Sequence, residues 1–503
     1  MPAACIIPFT MSYSRPSESP VAATALVQMG RHPGPFMLAL DDQQGAAAQV
    51  SCDEVVRAIP GKRLVCRGTW QGQPVYIKVY LGPDKYWQAE CRGLRALHEN
   101  GIAAPALLHA GTADHGALHV IVLAAIEPAQ TLACAWEQAI DQTVRIGLLR
   151  LALSTLAMHH RAGLEQSDIH LNNFLLSGGR LYTLDGGGIR SHGKAGLSLR
   201  RSRDNLARFF AQLYPRFDAL IEAVLPDYAS QRSWPAGRIS VAVLRRRVRH
   251  FRRRRQRHFL KKIFRDCSAF ICQKDWRSFR VCDRLLATPE LQGLLADPDA
   301  SLQRADARYL KQGNTCTLWT VSISGRPLVV KRYNIKGLAH RLGRLLRRTR
   351  ASTSWKNAHR LAMYGIHGAR PVALCERRFG PLRGKAWLIM EYLAGDDITR
   401  LCEASHPDGE ATKQVVSEMT SLLAQLAQCR ISHGDMKATN VIQSSQGLAI
   451  IDLDAMREHR SEAAFRRAQQ RDLQRFLLNW QQCPSLEALF RESLQNNNRV
   501  TAA

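Results

Sequence analysis

The sequence predicts an α+β protein built as two tandem bilobal domains, each an antiparallel β small lobe followed by a helical large lobe. Three observations carry this expectation. The chain has 503 residues, too many for one compact core. Short segments rich in Val, Ile and Tyr precede longer stretches with helical apolar spacing, the order of an α+β plan. The whole pattern then occurs a second time in the same order.

The elements follow in turn. "GQPVYIKVY", residues 72–80, matches "GRPLVVKRY", residues 325–333, as G-x-P-x-x-x-K-x-Y, and both read as strands. "KYWQAECRGLRALHENG" has the apolar period of a helix and stops at Gly101. "ENGIAAPAL" then answers "YGIHGARPVAL", and "LHVIVLAAI" and "AWLIMEYLAG" read as buried strands running into a linker. "VRIGLLRLALSTLAMHH" and "QVVSEMTSLLAQLAQ" supply the long helices of the large lobes. "QSDIHLNNFL", residues 166–175, and "HGDMKATNVI", residues 433–442, each place an Asp five residues before an Asn, and a further Asp lies 17 residues beyond the first in each. "NLARFF", residues 205–210, faces "DLQRFL", residues 472–477. Four matches in one order imply a tandem duplication. The expected organisation is a weakly ordered extension over 1–50, a first domain over 51–265 ending in a basic helix, a linker or start of the second unit over 266–304, a second domain over 305–495, and a tail over 496–503. "TPELQGLLADPDASL", with its Pro and Asp turn signals, marks the junction.

Composition narrows the function classes. The chain is 46% hydrophobic and 22% charged, as in ordinary soluble globular proteins. No apolar run approaches the roughly 18 residues that span a bilayer, and the N-terminus lacks the basic start of a secretory signal. The 13 cysteines are scattered with no C-x-x-C pair, so they read as reduced core thiols rather than a disulfide or zinc framework. The net charge of +28 is uneven: residues 245–265 carry twelve Lys/Arg and residues 336–350 carry six, with no acid in either. Such segments favour an anionic partner. In "LAHRLGRLLRRT", Leu338, Leu342, Leu345 and Leu346 fall on one side and Arg341, Arg344, Arg347 and Arg348 on the other, the pattern of a helix lying on anionic lipid. No recognition motif accompanies the charge, so nucleic acid is not an expected partner.

The paired Asp, Asn and Lys spacings suit phosphoryl transfer, which needs a lysine on the ATP phosphates, a cation bridging them and a carboxylate at the accepting hydroxyl. In the first copy the roles fall to Lys78, Glu90 as the lysine's helix partner, Asp168 at the acceptor, and Asn173 and Asp185 at Mg²⁺. In the second they fall to Lys331, Asp435, Asn440 and Asp452. Alignment sets Ser354 where Glu90 stands, and the helix "SWKNAHRLAMYG" has no acid, so Lys331 must be oriented differently or the copy is impaired. Asp454 is either a ligand for a second metal or a solvent-facing carboxylate. His433 reads as a structural histidine packed against the metal-binding strand.

The pattern resembles the protein-kinase-like superfamily, and within it the bacterial lipopolysaccharide core kinases that phosphorylate heptose or 3-deoxy-manno-octulosonic acid. "VVKRYN", "GPLRGKAWLIMEYL" and "HGDMKATNVI" look like that family's C-terminal copy, and "SDIHLNNFLLSGG" is similar to its catalytic loop. The resemblance covers roughly residues 51–215 and 305–482. It implies a membrane-peripheral cytoplasmic kinase that uses ATP and Mg²⁺ to phosphorylate a sugar hydroxyl of the lipopolysaccharide inner core, its basic segments facing the inner membrane. Neither copy has the G-x-G-x-x-G loop of protein kinases; Gln166 stands where the second copy has His433, and His170 where it has Lys437. Two alternatives stand beside this reading. A tandem pseudokinase scaffold for cell-envelope enzymes would bind no Mg·ATP in either copy. An antibiotic phosphotransferase shares the H-G-D and D-x-D elements, but cationic antibiotics need acidic pockets and this chain is strongly basic.

Overall fold

The computed structural model describes residues 19–30, 33–334, 347–404 and 409–502. Apart from the short stretch Tyr214–Arg216, the chain up to Arg252 forms one compact unit and the chain from Arg253 a second.

In the first unit β1 (Phe36–Ala39), β2 (Gln49–Ile59), β3 (Arg63–Trp70), β4 (Gln73–Tyr80), β5 (Leu107–Ala113) and β6 (Leu118–Ala124) make an antiparallel sheet ordered β1-β2-β3-β4-β6-β5. Period-two patterning drives it: Leu64, Cys66 and Trp70 of β3 point to one buried face. The segment expected to be a weakly ordered extension is, in its described part from residue 33, built into this sheet, because Phe36, Leu38, Leu40 and Val50 bury their side chains in its core, and Leu26 of the short helix Ala23–Gln28 joins them; residues 1–18, 31 and 32 lie outside the described residues. Helix α1 (Lys85–Glu99) connects β4 to β5 and buries Glu90, Cys91, Leu94 and Leu97. It sits so close to the glycine run after Asp185 that a Cβ on Gly93 would fall 1.8 Å from the Gly186 carbonyl oxygen, which is why both positions are glycine.

The first large lobe packs α2 (Gln142–Arg161), α3 (Leu199–Phe210) and the start of α4 (Val241–Lys262) around Leu153, Leu156, Phe174, Phe209 and Val248. Asp141 and Ser198 cap α2 and α3 by accepting from Thr143 and Arg201 backbone N–H groups. α4 carries most of the basic run. Its Leu244, Val248, Arg252, Gln256 and Leu260 recur every fourth residue and are buried, and Arg245, Arg247 and Arg252 are paired with Glu222, Asp204 and Asp218. Arg246, Arg249, Arg254, Arg257 and Lys261 are exposed.

In the second unit β7 (Phe270–Lys274), β8 (Ser278–Asp283), β9 (Arg308–Gln312), β10 (Cys316–Ile323), β11 (Arg326–Tyr333), β12 (Pro371–Phe379) and β13 (Leu382–Glu391) form an antiparallel sheet ordered β7-β8-β12-β13-β11-β10-β9. Helix α5 (Arg350–Tyr364) lies between β11 and β12 in sequence. The run β9-β10-β11-β13-β12 repeats β2-β3-β4-β6-β5, with the lysine strand third in both. Of the two expectations for residues 266–304 the second holds, the start of the second unit: Phe279, Val281, Cys282, Leu291 and Leu295 are core residues, and β7 and β8 extend the sheet beside β12. α6 (Glu410–Gln428) and α7 (Glu462–Leu477) form the large lobe with Met419, Leu423, Phe476 and Phe490 at its core. The stretch expected as a tail from 496 continues the helix Pro484–Ala502. The amphipathic segment around Leu338–Leu346 lies outside the described residues. Of the described cysteines, all are free thiols, and no described helix is long and apolar enough to cross a membrane.

Candidate active site

Lys331 stands in the middle of β11, opposite Leu318 and Leu388. Its ammonium is buried, and such a charge needs a partner. Asp452 supplies it, with Nζ 2.5 Å from Oδ1. Burial alone would lower the Lys331 pKa; Tyr333 and Asp452 outweigh it and hold the group above the ordinary lysine value. Burial likewise works to raise Asp452, and Lys331 brings it net below the usual carboxylate range. Asp452 has φ +58°, a left-handed conformation that Asp tolerates better than most residues.

Asp435 and Asn440 lie on the loop between Ile431–Ser432 and Val441–Ser444. The Asn440 amide donates to the Asp435 carbonyl at 2.9 Å, and the Ile451 N–H donates to the Asn440 carbonyl at 3.0 Å, so pairing of the two segments brings Asn440 beside Asp452. Asp472 of α7 grips the same loop: its carboxylate accepts the His433 N–H at 2.6 Å and the Gly434 N–H at 2.8 Å. His433 Nε2 bonds the Ile451 carbonyl at 3.0 Å, the packing expected of a structural histidine. The Asp435 carboxylate is flanked by Lys437 Nζ at 2.9 Å and Arg475 Nε at 3.5 Å. Lys331, Tyr333, Ser354, Met390 and Asp452 line a cavity between the sheet, α5 and the segment 450–453.

Ser354 does occupy the place across from the lysine strand that alignment assigns it. Its hydroxyl bonds the Tyr333 hydroxyl at 2.8 Å instead of serving Lys331. Asp454 is not a solvent-facing carboxylate: it is largely enclosed and pairs with Arg350 in the first turn of α5. An arginine that completes such a pair from 104 positions away carries no local sequence signal.

The first unit assembles the same residues by other means. Buried Lys78 pairs with Glu90 and donates to the Leu184 carbonyl at 3.1 Å. Glu90 also accepts the Gly186 and Gly187 N–H groups at 3.1 and 3.0 Å, so α1 holds both the lysine and the loop after Asp185. Asn173 donates to the Asp168 carbonyl at 2.9 Å, as Asn440 does to Asp435. Asp185 accepts from Gly187 at 3.1 Å; burial, then the Glu90 charge, pushes its pKa up to about 6. The anchor of the loop has changed polarity. Asn205, in the place of Asp472, donates to the Gln166 carbonyl at 2.8 Å. Among the described residues, neither polar atom of the buried Gln166 amide has a partner. Arg208, in the place of Arg475, reaches Glu165 at 2.8 Å rather than Asp168.

The donor chemistry of the second unit fits magnesium. With the Asn440 amide nitrogen committed to the loop, its amide oxygen and the Asp452 carboxylate are hard-oxygen donors of the kind Mg²⁺ takes while keeping several waters.

Residues 300–489 match the family model described as the lipopolysaccharide kinase (Kdo/WaaP) family. Kinases of this family are phosphotransferases acting on a hydroxyl group. A solved structure titled "WaaP in complex with acyl carrier protein" is similar at 18% identity and a TM-score of 0.28, covering 39% of this chain and 88% of that chain. Comparison with curated proteins gave no match.

Proposed function

Taking residues 300–489 as a lipopolysaccharide kinase domain, we propose that the chain moves the γ-phosphoryl group of ATP to a sugar hydroxyl of the lipopolysaccharide inner core, with Mg²⁺, at the cytoplasmic face of the inner membrane. The second unit carries the transfer. The observation that supports this most is the loop clamped by Asp472, which presents Asp435 between Lys437 and Arg475 and sets Asn440 beside Asp452. Asp435 orients the accepting hydroxyl and takes its proton. Lys331, next to Asp452, holds phosphate oxygens. Asn440 and Asp452 would hold the Mg²⁺, which offsets phosphate charge when bound. Lys437 and Arg475, on either side of Asp435, complement the negative charge of the transferred group and of phosphates already on the acceptor.

The common strand order of the two sheets supports reading the chain as a tandem duplication. The first unit keeps the Lys78–Glu90 pair and the Asp168, Asn173 and Asp185 positions, yet the altered anchor at Gln166 and Asn205 and the diversion of Arg208 favour a supporting partner over a second catalyst. The test is mass spectrometry of core glycolipid after incubation with Mg·ATP. Wild type and Asp168→Ala should add a phosphate and Asp435→Ala should not. Phosphate transfer surviving Asp435→Ala would assign the chemistry elsewhere, and absence of transfer by wild type would remove the substrate.

A further inference from the structure

Two hairpins of the second unit turn at the same edge of its sheet. One joins β7 to β8 and the other joins β12 to β13, and Ser278 pairs with Arg377 where they meet. The turns are bonded to each other: Arg378 N–H donates to the Arg277 carbonyl at 2.7 Å and Gly380 N–H to the Trp276 carbonyl at 2.9 Å. At this joint the Trp276 and Phe379 rings pack edge to face, 5.6 Å apart at 69°. They remain 61% and 67% exposed.

The tip is rigidly made. The Asp275 carboxylate accepts from the Arg277 and Ser278 N–H groups, both at 2.7 Å, and from the Ser278 hydroxyl at 2.6 Å. Gly380, at φ +58°, leaves room for the Trp276 ring, which a Cβ there would meet at 2.6 Å. Two large rings fixed in water gain free energy from any apolar cover.

Charge identifies the cover. "KDWRSFR", residues 274–280, and "ERRFGPLRGK", residues 376–385, hold seven Lys/Arg and two acids. Both acids are spoken for: Asp275 is turned into its own turn, and Glu376 is buried against Arg378 and Thr349. Lys274 and Arg277 are exposed on the turn that carries Trp276; Arg377 and Lys385 are exposed too but lie 3.8 and 3.9 Å from Asp297 and Asp299. Aromatic rings inside a rim of cations match the interface of an anionic bilayer, where the rings enter the headgroup layer and the cations meet phosphate.

We propose that this paired hairpin tip docks the protein on anionic phospholipid, with Trp276 and Phe379 inserted and Lys274 and Arg277 on the headgroups. The inference rests on the reading that the acceptor is membrane-borne. The test is sedimentation of the full chain with phosphatidylcholine vesicles with and without phosphatidylglycerol, beside phosphorylation of lipid-free core oligosaccharide. Wild type should bind the phosphatidylglycerol vesicles. Trp276→Ala with Phe379→Ala should weaken that binding by about tenfold per ring, with an unchanged melting temperature and unchanged transfer to the lipid-free acceptor. Brominated lipid should quench wild-type tryptophan fluorescence more than that of Trp276→Phe. Equal vesicle binding by the double alanine variant, or equal binding to neutral vesicles, would overturn the proposal. Vesicle binding that follows this pattern without any transfer to oligosaccharide would defeat the kinase reading and leave the docking tip standing.

Discussion

Asp472→Asn is the most informative single change in the second unit, because it imports the first unit's solution. The Asp472 carboxylate takes two backbone N–H groups, from His433 and Gly434. An amide has one acceptor oxygen to offer; its NH₂ group would face the second N–H and leave it buried without a partner. Losing one charge-assisted bond and orphaning one donor should cost the ordered loop about 2–4 kcal/mol. Since 1.4 kcal/mol is tenfold, the population with Asp435 in place should fall by roughly 30- to 1000-fold for a marginally held loop, and kcat should fall with it; Mg·ATP affinity should weaken by a smaller factor, because on the proposed reading Asn440 lies on the loop while Lys331 lies on β11 outside it. The assay is phosphate transfer to core glycolipid at saturating ATP, with nucleotide affinity measured separately. Asn205→Asp in the first unit is the control, where the Gln166 carbonyl would meet a carboxylate oxygen instead of an N–H donor. Wild-type kcat in Asp472→Asn would refute the clamp as the device that positions Asp435.

Two further outcomes follow from buried charge in the first unit. Glu90→Gln leaves the Lys78 ammonium with neutral acceptors, the Leu184 carbonyl and the new amide oxygen, and with the nearby Asp185 charge; breaking a buried pair on one side costs at most about 3–5 kcal/mol, so urea denaturation should show the first unit destabilised by up to that amount, and a loss below about 1 kcal/mol would mean the pair is energetically idle. His159 and His160 are fully enclosed, and burial pulls their pKa values down to about 4 and about 3. Their folded values lie below the unfolded value of about 6.5, so the unfolded chain binds protons that the folded one refuses, and stability falls as pH drops from about 6.5 toward 4. At pH 5 each should cost the first unit about 2 kcal/mol; His160→Gln, which keeps a bond to Tyr228 or Asn205 within reach, should flatten that slope, and an unchanged slope would show that the histidine is not held neutral.

Much of this site was legible because its chemistry is local in sequence. The Asp-x4-Asn spacing closes on itself through one side-chain bond within five residues, and it does so identically in both units. The strand lysines were equally readable, since the G-x-P-x-x-x-K-x-Y pattern alternates as a strand must and puts the lysine and the tyrosine on one face. What escaped depends on contacts between distant segments. Arg350 meets Asp454 across more than a hundred residues, and Asp472 was visible only as a landmark in a repeated hexapeptide, not as the acceptor of two N–H groups. The region 266–304 read as a junction because its Pro and Asp turn signals are real; they flank short strands whose burial is decided by β12, a hundred residues later.

The two units part company in a way that the requirement for a countercharge explains. A lysine buried in a sheet has to meet an anion, and the chain supplies one by two routes. In the first unit the anion is Glu90, carried by a helix that also holds the glycine loop; the lysine is thereby satisfied without Asp185, which stands crowded by Glu90 and is pushed toward the protonated form. In the second unit the helix offers Ser354, and the anion is Asp452 itself; the lysine and the would-be cation ligand then keep each other charged. A carboxylate favoured in its charged form is the better cation donor, and a loop gripped by Asp472 is the better platform for a base. On the proposed reading, loss of the helix glutamate does not by itself mark a dead copy: the unit that lacks it has Asp452 held in its charged form by Lys331, a carboxylate gripping the loop and an arginine beside Asp435, and the unit that keeps it lacks the last two.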